Sequence, residues 1–235
     1  MDSKRRTLAA VLAAFALLLA TGLLSVVGRT RPDLSEAVAD GDYEQTRVLL
    51  NGGAEPDQPI VQGFTPLMRA AIRDDGPMVK LLVGAGAEIE ARASAGGLTP
   101  LHTAAIADSP EAMQVLIDAG ADLDVRSRSG RNALDHAAAS GSVRAISVLS
   151  AAGIDVNAQS EAFVQIPGHP GDAGPTPLAI AARAGQLQAV ETLLGLGANV
   201  DGQSKRGQTA LLQALASGQS EEMITLLMDS GATPG

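Results

Sequence analysis

The chain has 235 residues, enough for one sizeable domain and a short targeting segment. Only 2% of the residues are aromatic although 46% are apolar, so the core has to be built from Ala, Leu, Val and Ile, which favours closely stacked short helices. The net charge of −9 argues against a nucleic-acid-binding protein, and the lack of Cys excludes disulfides, thiolate nucleophiles and Cys-ligated zinc.

A hydrophobic segment opens the chain. Lys4, Arg5 and Arg6 precede an uncharged run of 20 residues, Leu8 to Val27, which as a helix would span the roughly 30 Å of a bilayer core. The apolar part of a signal peptide is usually shorter, about 7–15 residues, and small-residue cleavage signals are poor here. We therefore predict that residues 1–30 form an uncleaved membrane anchor, with a cleaved signal peptide as the alternative. Both interpretations place the rest of the chain outside the cytoplasm.

From residue 34 onward, short sequence blocks recur at nearly constant spacing. A Thr or Asn followed by Pro or Ala and then Leu begins each block, at Thr65, Thr99, Asn132, Thr176 and Thr209. A Gly, in most cases followed by Ala, closes each leucine-rich stretch, at Gly53, Gly86, Gly120, Gly153, Gly197 and Gly231. Leu34 stands 33 residues before Leu67, which adds a first, degenerate unit and gives six units in all.

The residue types in each block predict a helix–turn–helix unit. The hydroxyl of Thr or the amide oxygen of Asn can cap a helix N-terminus, Pro suits the first helical position, and Gly ends a helix in the left-handed conformation. One Leu per unit marks the buried face of the second helix: Leu49, Leu82, Leu116, Leu149, Leu193 and Leu227. Most units have Gly between their two helices, but units two and three have Asp74-Asp75-Gly76 and Asp108-Ser109-Pro110, so we expect their turns to differ.

The period of about 33 residues and the block Thr-Pro-Leu-His, complete at Thr99–His102, resemble the ankyrin repeat. The resemblance covers about residues 32–233 and implies an all-α solenoid of about six units with β-hairpin fingers, after the N-terminal hydrophobic helix. The chain is similar in particular to bacterial ankyrin-repeat proteins that are exported or anchored in a membrane, and its Ala and Arg bias fits a bacterium. The repeat domain is expected at 31–235, with an inserted loop at 161–174. The predicted units are 32–60, 61–93, 94–126, 127–159, 171–203 and 204–235.

The resemblance also implies where a partner binds, because ankyrin partners usually contact the finger tips and the ends of the first helices. The residues of this chain that match those positions, together with two from the inserted loop, are Phe64, Arg73, Arg128, Arg131, Phe163, His169, Arg183, Lys205 and Arg206. Six of these nine are basic, whereas the chain from residue 29 onward carries −11, because the first 28 residues carry +2 of the total of −9. This contrast suggests a partner with an acidic surface. The alternative is compositional, since Arg outnumbers Lys 14 to 3 throughout the chain.

No arrangement of residues in the sequence indicates catalysis, and we expect no cofactor, metal or small-molecule substrate. His102 occupies the motif position whose His bonds neighbouring loops in ankyrin repeats, His136 is expected to face solvent or a partner, and His169 lies in the insertion. The acidic residues after the Gly-Ala marks recur one per unit on separate loops, which is typical of turn-forming residues rather than of a calcium site. An enzyme that used the insertion would have His169 and Asp172 without a nucleophile.

The sequence therefore predicts a non-catalytic protein–protein interaction module presented outside the cytoplasm. The expected location is the inner membrane with the repeats in the periplasm, or the periplasm after signal cleavage. The membrane is contacted through the N-terminal segment, and nucleic acid is not a partner. The alternative is a secreted effector that acts on the proteins of another cell.

Overall fold

The computed structural model describes residues 33–60, 63–161 and 174–233, so the predicted membrane anchor lies outside the described residues. Within these ranges the chain forms twelve helices in six consecutive pairs and no strand. This confirms the all-α prediction and the six units for the described part. The helices are α1 (Leu34–Asp40), α2 (Tyr43–Asn51), α3 (Pro66–Ile72), α4 (Gly76–Gly84), α5 (Pro100–Ile106), α6 (Pro110–Asp118), α7 (Ala133–Ser140), α8 (Val143–Ala151), α9 (Pro177–Arg183), α10 (Leu187–Gly195), α11 (Ala210–Ala216) and α12 (Glu221–Asp229).

The helices begin and end as the repeated motifs predict. The Thr176 hydroxyl accepts a hydrogen bond from the N–H of Ala179, and Pro177 takes the first helical position of α9. At the other end of a unit, Gly120 has a φ of 92°, and the following N–H, of Ala121, donates to the carbonyl of Leu116 at 2.9 Å. The same left-handed Gly and the same bond end all six second helices, so the unit boundaries are set by local chemistry.

One continuous apolar core runs from the first unit to the last. Five of the six predicted leucines of the second helices are fully buried: Leu82, Leu116, Leu149, Leu193 and Leu227. Leu49 is only partly buried, because the first unit packs on a neighbour on one side alone. The Ala pairs of the first helices, such as Ala104 and Ala105, are also fully buried, and their small size lets adjacent helices approach closely.

The first helix of each pair lies on the inner side of the solenoid. First helices pack more closely on the first helices of neighbouring units than second helices pack on each other. Closer packing on one side curves the stack toward that side, so the first helices line a concave face and the second helices form the outer face.

The turns between the two helices of each unit share one backbone conformation. Gly141 and Gly185 have φ angles of 74°, and Asp74 and Asp108 adopt the same left-handed region with φ of 55°. In each turn the next residue's N–H donates to the helix carbonyl five residues back, as Ser109 does to Ala104 and Gln186 to Ala181. The prediction that units two and three turn differently was therefore wrong, because Asp tolerates the left-handed conformation better than most residues.

Candidate functional site

A finger loop joins each helix pair to the next and is closed at its base by one backbone hydrogen bond. The donors are the N–H groups of Ile60, Ala93, Ser127, Ser160 and Ser204, and the acceptors are the carbonyls of Phe64, Leu98, Arg131, Pro175 and Gln208, at 2.7–3.0 Å. The chain therefore reverses where the hairpins were expected. The described residues contain no strand, however, so the prediction of β-hairpin fingers was wrong: one bond at each base is too little for a ladder.

The inserted loop enlarges one of these fingers. Its ends are held by the same bond as the other fingers, because the N–H of Ser160 donates to the carbonyl of Pro175 at 3.0 Å and the Ser160 hydroxyl donates to the same carbonyl at 3.2 Å. The next helix then starts in register at Pro177. The predicted contact residues Phe163 and His169 lie outside the described residues.

Neighbouring fingers are bonded to one another. The N–H of Arg128 donates to the carbonyl of Gly96 at 2.8 Å, and the guanidinium of Arg128 donates to the carbonyl of Ser94 at 2.7 Å. The N–H of Glu161 makes the equivalent bond to Gly130 at 3.0 Å. Arg128 is exposed, as expected for a finger residue, but its side chain is fixed on the preceding finger.

Two histidines meet where the fingers join the concave face. Nδ1 of His102 accepts from the N–H of Thr99 at 3.1 Å, so the ring hydrogen is on Nε2, which donates to the carbonyl of Arg131 at 3.2 Å. His102 thus links its own helix start to the next finger, as the motif predicts. His136 packs edge-to-face on His102 with ring centroids 5.3 Å apart and bonds Ser127 at 3.0 Å. His136 is half-buried by these contacts, so it is not the freely solvated residue that was one of the two expectations.

A buried carboxylate lies beside the histidines. Asp135 is fully buried, and its Oδ2 accepts from the N–H of Asn132 at 3.1 Å and from the guanidinium of Arg126 at 3.4 Å. Its Oδ1 has no hydrogen-bond partner among the described residues. The guanidinium of Arg92, on the preceding finger, donates a hydrogen bond of 2.8 Å to the backbone carbonyl of Arg126. This network ties two successive fingers to each other and to helix α7 of unit four.

Burial shifts the pKa values of this cluster in opposite directions for acids and bases. Desolvation raises the pKa of Asp135 to about 6, although the Asn132 N–H and the nearby arginines oppose the shift. Desolvation lowers the pKa of His102 to about 4 and that of His136 to about 3. Burial also lowers the pKa of Arg131, and the like charge of Arg183 adds to the effect. At neutral pH the histidines are therefore uncharged, and the positive charge of the concave face comes from arginine.

The predicted contact residues divide into two groups. Arg73, Arg183, Lys205 and Arg206 are exposed, and none of them forms an ion pair within the part of the chain that the structure describes. Phe64 and Arg131 are half-buried. Phe64 packs on a small apolar cluster that includes Met68, so it supports its finger as well as facing outward.

Sequence reasoning missed part of the concave face. Ile72 and Ile106 are exposed by 41% and 38%, and each stands seven residues after the Thr that caps its helix. Ile72 was not predicted as a contact residue, and aligning its unit with that of Ile106 on their Thr caps would have found it. The exposed Arg92 and the half-buried Arg126 were also missed, since nothing in the repeat motif marks them.

The described residues hold no group of three or more His, Cys, Asp or Glu that could bind a metal ion. None of the helices in the described ranges combines the length and the apolarity needed to cross a bilayer. The acidic residues after the Gly-Ala marks instead join neighbouring loops: Asp57 accepts from the N–H of Glu88 at 2.9 Å, and Asp201 accepts from that of Thr233 at 2.9 Å.

Comparisons with known proteins agree with this architecture. A family model described as ankyrin repeats in three copies matches residues 34–127, 78–160 and 162–235. The human ASB11 ankyrin repeat domain has a similar structure, with a TM-score of 0.71 and 26% identity over 87% of this chain and 85% of that one. The ankyrin repeat domain of Bcl-3, a member of the IkappaB family, gives a TM-score of 0.69 and 31% identity over 88% of both chains. No curated protein sequence gave a match.

Proposed function

The chain belongs to the ankyrin-repeat proteins, and from that premise we propose that its concave face captures a protein partner with an acidic surface. Ankyrin repeats form a non-catalytic binding scaffold for proteins, which establishes the general role. The charge distribution supports the acidic partner. Exposed basic side chains without ion-pair partners in the described ranges lie on the fingers and concave face, whereas the chain from residue 29 onward carries −11.

We also propose that the repeats act outside the cytoplasm of a bacterium, held by the N-terminal segment or released from it. This part of the proposal rests on Lys4, Arg5 and Arg6 and on the apolar run Leu8–Val27. N-terminal sequencing of protein purified from envelope membranes tests it. An intact N-terminus in the membrane fraction supports an anchor, and a mature chain starting near residue 29 in the soluble periplasm supports cleavage. Accumulation of uncleaved protein in the cytoplasm contradicts both.

The binding proposal is tested by crosslinking and affinity capture from envelope extracts. We expect Arg73→Glu combined with Arg183→Glu to reduce capture of the main partner about tenfold, since like charges across an interface are strongly unfavourable. Lys80→Glu is the matched control, because Lys80 is an exposed base on helix α4 of the outer face. Equal losses for the double variant and for Lys80→Glu, or capture that does not weaken as salt is raised, would count against the acidic partner.

A further inference from the structure

One row of residues runs along the concave face, with one residue from each unit. The residue seven places after each first-helix cap forms this inner row, which consists of Asp40, Ile72, Ile106, Ala139, Arg183 and Ala216. The backbone carbonyls of four members accept a hydrogen bond from the cap residue of the next unit's second helix, so these positions are structurally equivalent: Ile72, Ile106, Ala139 and Arg183. The inner row therefore begins with an acidic residue in unit one, is apolar in units two and three, and is basic in unit five.

The usual distance between packed helices gives the inner row an expected step close to the pitch of an extended chain. Packed helices lie about 8–10 Å apart. A polyproline II helix advances about 3.1 Å per residue with three residues per turn, so side chains three residues apart lie on one face at steps of about 9 Å. A β-strand points residues three apart to opposite faces, so it cannot present that spacing to one surface.

We propose that the inner row binds an extended, polyproline-II-like segment of an acidic partner. In this arrangement two apolar side chains at positions i and i+3 of the segment cover Ile72 and Ile106. A carboxylate at i+9 pairs with Arg183, three units beyond Ile72. The inference rests on the proposed function and specifies the form of the partner that the concave face recognises.

Exposure and charge both favour this occupant. Ile72 and Ile106 are two of only eight large apolar side chains that are exposed in the described ranges, and they occupy equivalent positions in adjacent units. Arg183 is exposed, and the three ion pairs of the described residues involve other arginines. The like charge of Arg183 on Arg131 is relieved when a carboxylate binds between them.

Fluorescence polarisation with labelled peptides tests the proposal. The probe is LPPLPPQPPE, which presents two leucines three residues apart and a glutamate nine residues after the first. The control is LPLPPPQPPE, which has the same composition but moves the second leucine out of phase. We expect the full chain to bind the probe about tenfold more tightly than the control, since one buried Leu contact accounts for roughly that factor. Equal affinity for both peptides overturns the proposal.

Variants of the chain locate the probe on the inner row. We expect Ile106→Asp to weaken binding about tenfold, whereas Leu196→Asp changes it less than about twofold. Leu196 is the matched control, because its side chain is also 38% exposed but follows helix α10 on the outer face. Arg183→Glu should weaken binding of the probe and favour LPPLPPQPPK, and failure of this charge exchange contradicts the assignment of Arg183.

The remaining outcomes separate this inference from the proposed function. A chain dimer, detected by sedimentation and dissolved by Ile106→Asp, identifies a second copy as the occupant and overturns the proposal. Tighter probe binding after deletion of residues 162–173 shows that the chain's own inserted loop occupies the inner row, and this result also overturns the proposal. If partner capture depends on Arg73 and Arg183 while the probe does not bind, the inference fails and the proposed function stands.

Discussion

The central unit interfaces of the solenoid and those toward its C-terminal end are joined by different side chains. Between units three and four, the left-handed turn residue is Asp108, whose Oδ1 accepts from the N–H of Ala145 in the next unit at 2.8 Å. The cap residue Ser142 donates to the carbonyl of Ile106 at 3.1 Å. The interface between units two and three repeats this arrangement with Asp74. We call Asp74 and Asp108 the aspartate turns.

Units five and six are joined to their predecessors by glycine turns, Gly141 and Gly185. Here the cap residue is glutamine, and its amide donates to the equivalent carbonyl: Gln186 to Ala139 at 3.3 Å and Gln219 to Arg183 at 2.7 Å. The glutamine Oε1 lies only 2.5 Å from where a Cβ on either glycine would be. A long cap side chain therefore needs a glycine turn, whereas a short serine cap leaves room for aspartate.

The comparison shows that one backbone geometry is stabilised in two ways, and that the difference should be confined to the turns. Core substitutions have the largest expected effect, and they test whether the two regions differ only in their turns. Leu116 and Leu193 are both fully buried in second helices, one on each side of the change in turn type. We expect Leu→Ala at either position to cost about 2–5 kcal/mol, with the two values within about 1 kcal/mol of each other. Urea denaturation measures both, and a much smaller loss at one site would mean that the two cores differ as well.

Acid should weaken the region of the aspartate turns selectively. Because the pKa values of His102 and His136 are lower in the folded chain, the unfolded chain binds more protons below about pH 6.5 and stability falls as the pH falls. Asp135 opposes this, because its raised pKa lets the folded chain bind the extra proton between about pH 6 and 4. The net expectation is a loss of about 2 kcal/mol between pH 7 and pH 5.

Urea denaturation at several pH values measures the net loss, and hydrogen exchange locates it. Exchange should speed up in helices α5–α8 before α9–α12, because the described part of units five and six contains no histidine. His136→Gln should reduce the loss to below about 1 kcal/mol, since one titrating group with a lowered pKa is removed. Uniform exchange along the solenoid would contradict the local origin of the effect.

A single methyl group tests the glycine turns. Gly141→Ala should cost about 2 kcal/mol, because a left-handed conformation costs a residue with a Cβ about 1–2 kcal/mol and the methyl displaces the Gln186 amide. Gly84→Ala is the control, because Gly84 lies in helix α4 with nothing near the position of a Cβ. That change should stabilise the chain by up to about 1 kcal/mol. Thermal melts that rank the two variants the other way would refute the role assigned to Gly141.

The sequence predicted the number of units and the helix starts because these depend on local chemistry. A Thr cap, a Pro at the first helical position and a left-handed Gly act within a few residues, so Thr176 and Gly120 could be assigned without the fold. The turns at Asp74 and Asp108 were misjudged, since the partner that makes Asp suitable is an N–H about 37 residues away. Burial of Asp135 and His136 likewise depends on the neighbouring fingers, which no single repeat motif encodes.

The pairing of turn and cap residues predicts a measurable coupling, which a transplanted aspartate turn should reveal. Gly141→Asp alone should be destabilising by about 1–2 kcal/mol, because the new side chain meets Gln186. Gln186→Ser alone removes the hydrogen bond from the Gln186 amide to the carbonyl of Ala139 and should lower the free energy of unfolding by under about 1 kcal/mol. In the double variant the shorter serine leaves space, and the new carboxylate can accept from the N–H of Ala189, which corresponds to Ala145 at the natural aspartate turn.

The double variant should therefore be more stable than the sum of the single changes by about 1 kcal/mol, measured as a double-mutant cycle in urea. The control cycle combines Gly141→Asp with Gln219→Ser. Gln219 lies in the next interface, where its amide donates to the carbonyl of Arg183, and it is not a neighbour of Gly141. Those two changes should add within about 0.5 kcal/mol because they share no partner. A coupling near zero in both cycles would show that turn and cap residues vary independently, and that the two kinds of turn in this chain are matched to their caps by coincidence.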